Sequence, residues 1–304
     1  MNVLLIQENG RHEENRGFRE CFCLQRAFKF NRNSCDVWGL GHTNYEQEPD
    51  YESYDLIINL ENYDESGWVP NLSKVQTKKW LWSIDAHCKG ILPYLRVAQE
   101  GNYDLILQAT PEFVNKDSLW FPSGFDDNLL YPLGIEKTYD WGFCGSAGNT
   151  NRNTLIAMLQ KFTTNYKHKL DIFAIGPSMV KAINSYKVHF NANIGIDINY
   201  RNFETIGCGT CLLTTYNKHL YKLGFTDGEN CLIYSTFEEL IEKLKMILEN
   251  YSLRTTIESN GLELSQRHNY NARVKFLLDY IKGDSRTIED TFYRYRSTQS
   301  PFYS

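Results

Sequence analysis

The chain has 304 residues, of which 42% are hydrophobic and 23% are charged, so it is long enough for two folded domains and too apolar for a disordered protein. Its formal net charge of −5 argues against a protein whose affinity comes mainly from neutralising nucleic-acid phosphates. No apolar run has membrane-spanning length, the first residues lack the basic segment of a signal peptide, and the eight cysteines are scattered. These features predict a cytoplasmic protein with reduced thiols.

The first half of the chain alternates short apolar segments with stretches of helical length. Strands are predicted at 2–7, 54–60, 78–87 and 103–110, and a helix is predicted within 16–30. Parallel strands joined by helices form a sheet covered on both faces, and such sheets bind ligands at the carboxyl ends of their strands. The candidate site residues of this half are therefore those at predicted strand ends, Glu8, Asp85, His87 and the segment after Gln108.

A segment with several prolines, glycines and aspartates, 118–140, interrupts this pattern and predicts a connector. The alternation then restarts, with strands predicted at 169–177, 186–196, 210–215 and 231–235 and helices at 201–208, 252–267 and 270–282. We therefore predict an α/β protein of two doubly wound, Rossmann-like domains that face a central cleft, 1–134 and 135–283. The remaining 284–304 form a tail that packs back on the first domain, is disordered, or serves as an aromatic interaction segment.

The loop that opens the second domain has the composition of an anion site. Gly145 and Ser146 end the strand WGFCGS, and Arg152 stands at the start of the next predicted helix. Free backbone N–H groups at such a helix start bind phosphate, and an arginine adds charge-assisted hydrogen bonds. An ordinary βα loop with a glycine turn is the alternative.

The stretch NYRNFETIGCGTCLLTTY, 199–216, places two opposite charges before a buried strand. Arg201 and Glu204 are one helical turn apart on the same face. At a sheet edge, a carboxylate can accept the hydroxyl protons of a ribose and an arginine can grip a diphosphate. A surface ion pair of little energetic consequence is the alternative.

These motifs carry a resemblance to a known family. Residues 140–282 resemble the C-terminal domain of GT-B glycosyltransferases, in particular the spore-protein CgeB-like branch. The similar segments are WGFCGS, IFAIGP, HFNANIGI, the stretch 199–216 and LRTTIESNGLELSQRHNYNARVKFLLDYI. In the first half, FPSGFDDNLLYPL is similar to the family's connector and WLWSIDAH to its central strand.

The resemblance implies a transfer of sugar from a nucleotide sugar, most simply a UDP-sugar, with no permanently bound cofactor. It implies that Glu204 binds the ribose and that Arg201 lies at the diphosphate and takes part in catalysis. The other implied donor-binding residues are Gly145, Ser146, Arg152, Gly176, Asn199 and Phe203. Some relatives carry a glutamate eight positions before the ribose glutamate; Ile196 stands there, so the stereochemistry stays open.

A transfer that inverts the sugar also needs a base for the acceptor hydroxyl. We expect Asp85 in that role, with His87 next, and Glu8, His12 and Glu13 as alternatives on the acceptor side. The sequence contains no Asp-x-Asp metal clamp, so a metal-independent reaction is expected. Cys208 and Cys211 form a C-x-x-C without a second pair, which indicates a helix-to-strand turn and not a metal or redox site.

The acceptor stays open at this stage. A glycan, a glycolipid or a protein fits the resemblance, and hydroxylated or hydroxymethylated DNA bases are the runner-up, since phage base glucosyltransferases share the GT-B fold. The acidic composition speaks against DNA. A protein that binds nucleotide sugars without turnover is the alternative of another class.

Overall fold

The computed structural model describes residues 1–10, 12–60, 67–148, 150–284, 286 and 288. The described chain divides into two compact units, Met1–Ser123 with Tyr270–Ile288 and Gly124–Asn269. The strands and helices up to the end of the first unit's sheet are β1 (Asn2–Ile6), α1 (Glu13–Arg16), α2 (Glu20–Phe30), β2 (Ser34–Trp38), β3 (Leu56–Leu60), β4 (Lys78–Ser83), α3 (Ala86–Lys89), α4 (Leu92–Glu100), β5 (Leu105–Gln108) and β6 (Ser118–Trp120).

The remaining elements carry the second sheet and its helices. They are β7 (Tyr139–Gly145), α5 (Thr150–Phe162), β8 (His168–Ile172), α6 (Gly176–Ser185), β9 (Tyr186–Asn191), α7 (Tyr200–Gly207), β10 (Cys211–Thr215), β11 (Leu232–Tyr234), α8 (Phe237–Glu249), α9 (Tyr251–Ser265) and α10 (Tyr270–Ile281). None of the helices in the described ranges is long and apolar enough to cross a membrane.

The sheet of the first unit is entirely parallel, with strand order β2-β1-β3-β4-β5-β6. Every residue of β3 is buried, as expected for a strand covered on both faces. Leu4 and Ile57 pack in a cluster on one face, and Leu81 and Tyr94 pack in another cluster with α4. Because the chain leaves β1 for β2 on one side and β3 lies on the other, the order reverses at the end of β1.

The sheet of the second unit is also parallel, with strand order β11-β10-β9-β7-β8. Its core joins residues of β7, β9 and β10 to apolar side chains of α5 and α8, among them Phe190, Leu159 and Leu244. The order reverses between β7 and β9. The prediction of two doubly wound α/β sheets is confirmed.

The structure differs from the prediction in the segment 118–140 and in two strands. The connector begins only after β6, whose residues pair with β5. Neither β2 nor β6 was predicted, because β2 alternates buried and exposed residues over only five positions and β6 has three residues. Short strands of this kind are recognised by their neighbours in the sheet more than by their own pattern.

Helix α10 packs on the first unit, whereas the sequence analysis assigned 270–282 to the second domain. It contacts α2, and its Tyr280 ring lies 6.0 Å from the ring of Trp80. Arg273, which is 1% exposed, donates hydrogen bonds to the carbonyl oxygens of Pro122 and Ser123 at 3.0 and 3.1 Å. Sequence periodicity predicts where a helix lies along the chain, but it does not predict which sheet the helix packs on. Most of the predicted tail, 284–304, lies outside the described residues.

Candidate functional site

The candidate site of the second unit lies where β7 and β9 separate. Their parallel pairing ends at Gly142 and His189, whereas β7 continues to pair with β8 as far as Gly145. Such a reversal point is where open parallel sheets form a crevice for ligands. Cys144 lies just beyond the last pair and is fully buried, so its backbone N–H and C=O need partners other than water.

His189 supplies the partner for the amide of Cys144. Its Nε2 accepts the hydrogen bond from Cys144 N at 3.2 Å, and its Nδ1 lies 2.5 Å from the Oγ1 of Thr205. A backbone N–H can only donate, so Nε2 carries no proton and Nδ1 is the protonated nitrogen. Burial and the charge of Arg201 lower the pKa of His189 to about 3, which keeps the ring neutral.

Arg201 supplies the partner for the carbonyl of the same residue. Its Nε donates to Cys144 O at 2.9 Å, and its Nη1 forms an ion pair with the Oε2 of Glu204, three residues later on α7. The two side chains are 20% and 11% exposed, so this pair is much less solvated than a surface ion pair. Burial lowers the pKa of Arg201, and the Glu204 carboxylate more than offsets it, so the net direction is upward.

The loop after β7 is tied to the loop after β9 by Arg152. Its guanidinium donates to the carbonyl oxygen of Ser146 at 2.7 Å and to that of Ala192 at 3.1 Å. Burial and the nearby charge of Arg201 lower the pKa of Arg152. Gly145 has a φ of 151°, which side chains rarely adopt, and a Cβ built there would lie 4.0 Å from the Nε of Arg201. The predicted phosphate loop and Arg201 are therefore neighbours.

A cluster of amide and hydroxyl side chains fixes the start of α7. Asn202 donates to the Oδ1 of Asn193 at 2.8 Å and accepts from the Oγ1 of Thr214 at 2.8 Å. Asn199 precedes the helix and donates to the Oδ1 of Asn191 at 3.2 Å instead of capping α7. These bonds join α7 to the ends of β9 and β10, so they set where Arg201 lies.

Two predicted donor-binding residues lie elsewhere in the second unit. Phe203 is fully buried, and its ring packs against the rings of Phe225 and His268 at 5.9 and 5.1 Å. The side chain of Phe203 anchors α7 to the core, so any donor contact would have to come from its backbone, and its assignment to the donor site stays a prediction. Gly176 is the first residue of α6 and has a φ of 56°. Gly176 comes four residues after the end of β8, so it lies at the carboxyl edge of the sheet, as Gly145 does.

In the first unit, two predicted acceptor-side residues line one pocket. It has a volume of about 240 Å³ at the carboxyl end of β1, and its lining residues are Glu8, Gly10, His12, Asn15 and Arg19. A Cβ at Gly10 would come within 2.6 Å of the Arg19 side chain, so glycine lets that side chain lie across the loop. Glu13 is exposed at the start of α1 and does not line this pocket.

Asp85 and His87 lie at the carboxyl end of β4. Asp85 is half-buried and precedes α3 without capping it through its side chain, and its backbone N–H donates to the hydroxyl of Tyr94 at 3.2 Å. His87 is half-buried on α3. The two residues therefore occupy the edge of the first sheet that the sequence predicted.

The C-x-x-C pair consists of free, buried thiols. Burial raises the pKa of Cys208 and of Cys211 to about 12, so neither is a thiolate near neutral pH. Within the described ranges, no group of three or more histidine, cysteine or acidic side chains could hold a metal ion.

Sequence reasoning missed the residues that hold the site together. His189 and Asn191 lie in HFNANIGI, and Asn202 and Thr205 lie in 199–216, but neither the pattern nor the resemblance gave any of the four a role. The sequence feature that could have indicated them is a polar side chain within an otherwise apolar strand or helix. A fully buried polar side chain needs a partner, and that partner was not visible before the elements were placed in space.

A family model matches part of the second unit and α10. Residues 154–279 match the family model described as glycosyl transferase-like, so the chain carries a glycosyltransferase-like domain. No curated protein matches the chain at a significant level.

Solved structures of the same fold cover both units. Sucrose-phosphate synthase from Thermosynechococcus elongatus has a TM-score of 0.62 at 12% identity, over 93% of this chain and 100% of that one. HepE from Anabaena in complex with UDP-glucose has a TM-score of 0.61 at 12% identity, over 93% and 100%. T4 phage BGT in complex with its UDP-glucose substrate has a TM-score of 0.60 at 13% identity, over 94% and 100%. The fold is GT-B, and the expected enzyme class is confirmed at the level of a glycosyltransferase-like domain on that fold.

The buried neutral histidine predicts a specific acid sensitivity. The pKa of His189 is about 3 in the folded state against 6.5 for an unperturbed histidine, so the unfolded state takes up the proton first as the pH falls. Between pH 7 and pH 5 the free energy of unfolding of the wild type should therefore fall by about 2 kcal/mol more than that of His189→Gln. Urea denaturation at both pH values measures this difference. Parallel curves for the wild type and His189→Gln would contradict the assignment.

Proposed function

We propose that the chain is a metal-independent glycosyltransferase that moves a sugar from a nucleotide sugar, with UDP-sugars first, to an acceptor hydroxyl. The observation that carries the proposal is the largely buried Arg201–Glu204 pair beside Gly145, at the reversal point of the second sheet. An arginine and a carboxylate at that edge match the charges of a diphosphate and the hydroxyls of a ribose. HepE and T4 phage BGT, which share the fold, were solved with UDP-glucose.

The donor would be held by a carboxylate at its ribose and by cationic and N–H groups at its diphosphate. One oxygen of Glu204 bonds to Arg201, and no hydrogen bond joins its other oxygen to the described residues, so that oxygen is available for a ribose hydroxyl. Arg201 and the backbone N–H groups after Gly145 would face the diphosphate, with Ser146 and Arg152 beside them. Their task in the reaction is to stabilise the negative charge that builds up on the departing diphosphate.

We assign the base to Asp85, with His87 as the second choice. Support comes from the position of Asp85, which is half-buried at the carboxyl end of β4, where parallel sheets bind their ligands. A carboxylate there can take the proton of an acceptor hydroxyl as the new glycosidic bond forms. The pocket lined by Glu8 and His12 is the proposed acceptor-side surface.

The acceptor is proposed to be a glycan, a glycolipid or a protein, with hydroxylated or hydroxymethylated DNA bases as the runner-up. A net charge of −5 supports this order, because DNA-binding surfaces are usually basic. Salt-sensitive binding of DNA to the purified chain would make DNA the preferred acceptor.

We also propose that the chain belongs to the CgeB-like branch, on the segments around Arg201 and Glu204. An alignment of that branch in which neither residue is matched would contradict this membership.

A cytoplasmic location is proposed from the cysteines. All eight are free thiols, and seven of them are buried. Fractionation of expressing cells tests this, and recovery of the chain outside the cytoplasm would contradict it.

A screen of UDP-, GDP-, dTDP- and CMP-sugars by thermal unfolding tests the donor. A ligand present at about 100 times its Kd stabilises the folded state by about 2.7 kcal/mol, so the true donor should raise Tm visibly. Release of nucleoside diphosphate in the presence of an acceptor should persist in excess EDTA. Binding without release by any donor would favour a non-catalytic nucleotide-sugar protein, and full loss of release in EDTA would contradict metal independence.

Glu204→Gln should weaken UDP binding by about tenfold or more, because a neutral amide is a poorer acceptor for ribose hydroxyls than a carboxylate. Isothermal titration measures the Kd, and circular dichroism confirms the fold. Glu263→Gln, an exposed change on α9, is the control and should leave the Kd unchanged. Equal affinity of Glu204→Gln and the wild type would remove the ribose assignment.

Asp85→Asn should lower turnover by about 100-fold or more while UDP affinity stays within about twofold, since general-base catalysis contributes about 10²–10⁴. Initial rates with a saturating donor measure the first quantity and titration the second. Asp117→Asn, an exposed change in the same unit, should leave turnover intact. If only His87→Gln slows the reaction, the base is His87 and the assignment of Asp85 is wrong.

A further inference from the structure

We propose that His189 is a positioning residue of the donor site, which fixes helix α7 against the end of β7 through bonds at both of its ring nitrogens. The inference rests on the proposed function for its consequences, but its geometry stands on its own. His189 is fully buried on β9, so it acts through Cys144 and α7 and not by touching a ligand.

Four hydrogen bonds form a closed circuit that begins and ends on one residue. Cys144 N–H donates to His189, and the protonated Nδ1 of His189 donates to the hydroxyl of Thr205. That hydroxyl donates to the carbonyl oxygen of Arg201 at 2.5 Å, and the guanidinium of Arg201 returns to Cys144 O at 2.9 Å. The circuit therefore spans β7, β9 and α7.

The circuit lies where the pairing of β7 with β9 no longer gives support. β7 and β9 stop pairing at Gly142, so nothing in the ladder sets the distance between Cys144 and α7. The circuit sets that distance at both backbone groups of Cys144. Gly145, the first residue of the candidate phosphate loop, and Glu204, the candidate ribose acceptor, are thereby held to one geometry.

Only a neutral imidazole offers one acceptor and one donor at a fixed separation in this space. A protonated ring could not accept from Cys144 and would add a positive charge beside Arg201. Glutamine keeps one acceptor and one donor but loses the rigid ring. Phenylalanine keeps the ring and loses both bonds.

Thr163, which lies elsewhere in the same unit, makes the same kinds of hydrogen bond as Thr205 and can serve as its control. Thr163 accepts from the Nε1 of Trp141 at 3.0 Å and donates to the carbonyl oxygen of Leu159, four residues earlier, at 2.6 Å. Thr205 likewise accepts from an aromatic ring nitrogen and donates four residues back. Thr163 and Thr205 are 1% and 0% exposed. The two threonines thus differ in where they lie and not in their bonds.

Thr205→Val and Thr163→Val therefore separate positioning from stability. Both variants should lose a similar amount of unfolding free energy in urea, because each leaves one buried ring N–H without an acceptor. Titration with UDP should give an increase in Kd of about tenfold for Thr205→Val and less than about twofold for Thr163→Val. Equal Kd values for the two variants, with equal destabilisation, would overturn the inference.

Substitutions at His189 give a second, independent measure. The Kd for UDP should rise in the order wild type, His189→Gln, His189→Phe, with partial rescue by glutamine because it keeps both kinds of bond. Equal affinity of all three proteins would contradict the inference while leaving the donor assignment intact. If the wild type binds no nucleotide in the donor screen, the proposed function fails and this inference fails with it.

Discussion

The arrangement of polar residues in the second unit depends on the point where β7 and β9 stop pairing. A parallel ladder satisfies the peptide groups of both strands, and when it stops inside a protein the next peptide groups must find side chains or remain unpaired at a high cost. Here Cys144 is that next residue, and His189 and Arg201 are its partners. Open parallel sheets bind ligands where neighbouring strands separate in this way, so the place that needs polar residues is also the place where we propose that the donor binds.

The polar residues at this edge are arranged in two layers of different accessibility. His189, Asn202 and Thr205 are fully buried, and they join β9, β10 and α7. Arg201 and Glu204 retain some exposure, and they rest on this buried layer. The buried layer is held by short neutral hydrogen bonds, which need no charge compensation. The partly exposed layer carries the two charges to which we assign the donor's diphosphate and ribose.

The arginines of this region illustrate why side-chain type alone does not define a role. Arg152 and Arg201 each donate to backbone carbonyl oxygens within the second unit. Arg273 does the same at the end of the first unit. A guanidinium has five donors in a fixed fork, so one arginine can close a gap between loops and still present a charge. Arg201 in addition forms an ion pair with the carboxylate of Glu204 at the candidate site.

The sequence by itself determined the alternation of strands and helices, the parallel sheets, the strand-end positions of Glu8, Asp85 and Gly145, and the place of Arg201 and Glu204 one turn apart on a short helix. These follow from local periodicity and from the rule that parallel sheets bind ligands at carboxyl ends. Only the tertiary structure decided that Phe203 is core, that α10 covers the first sheet, and that His189 and Thr205 complete the circuit around Cys144. Each of these depends on contacts between residues distant in sequence, and such contacts leave no periodic signal in the chain.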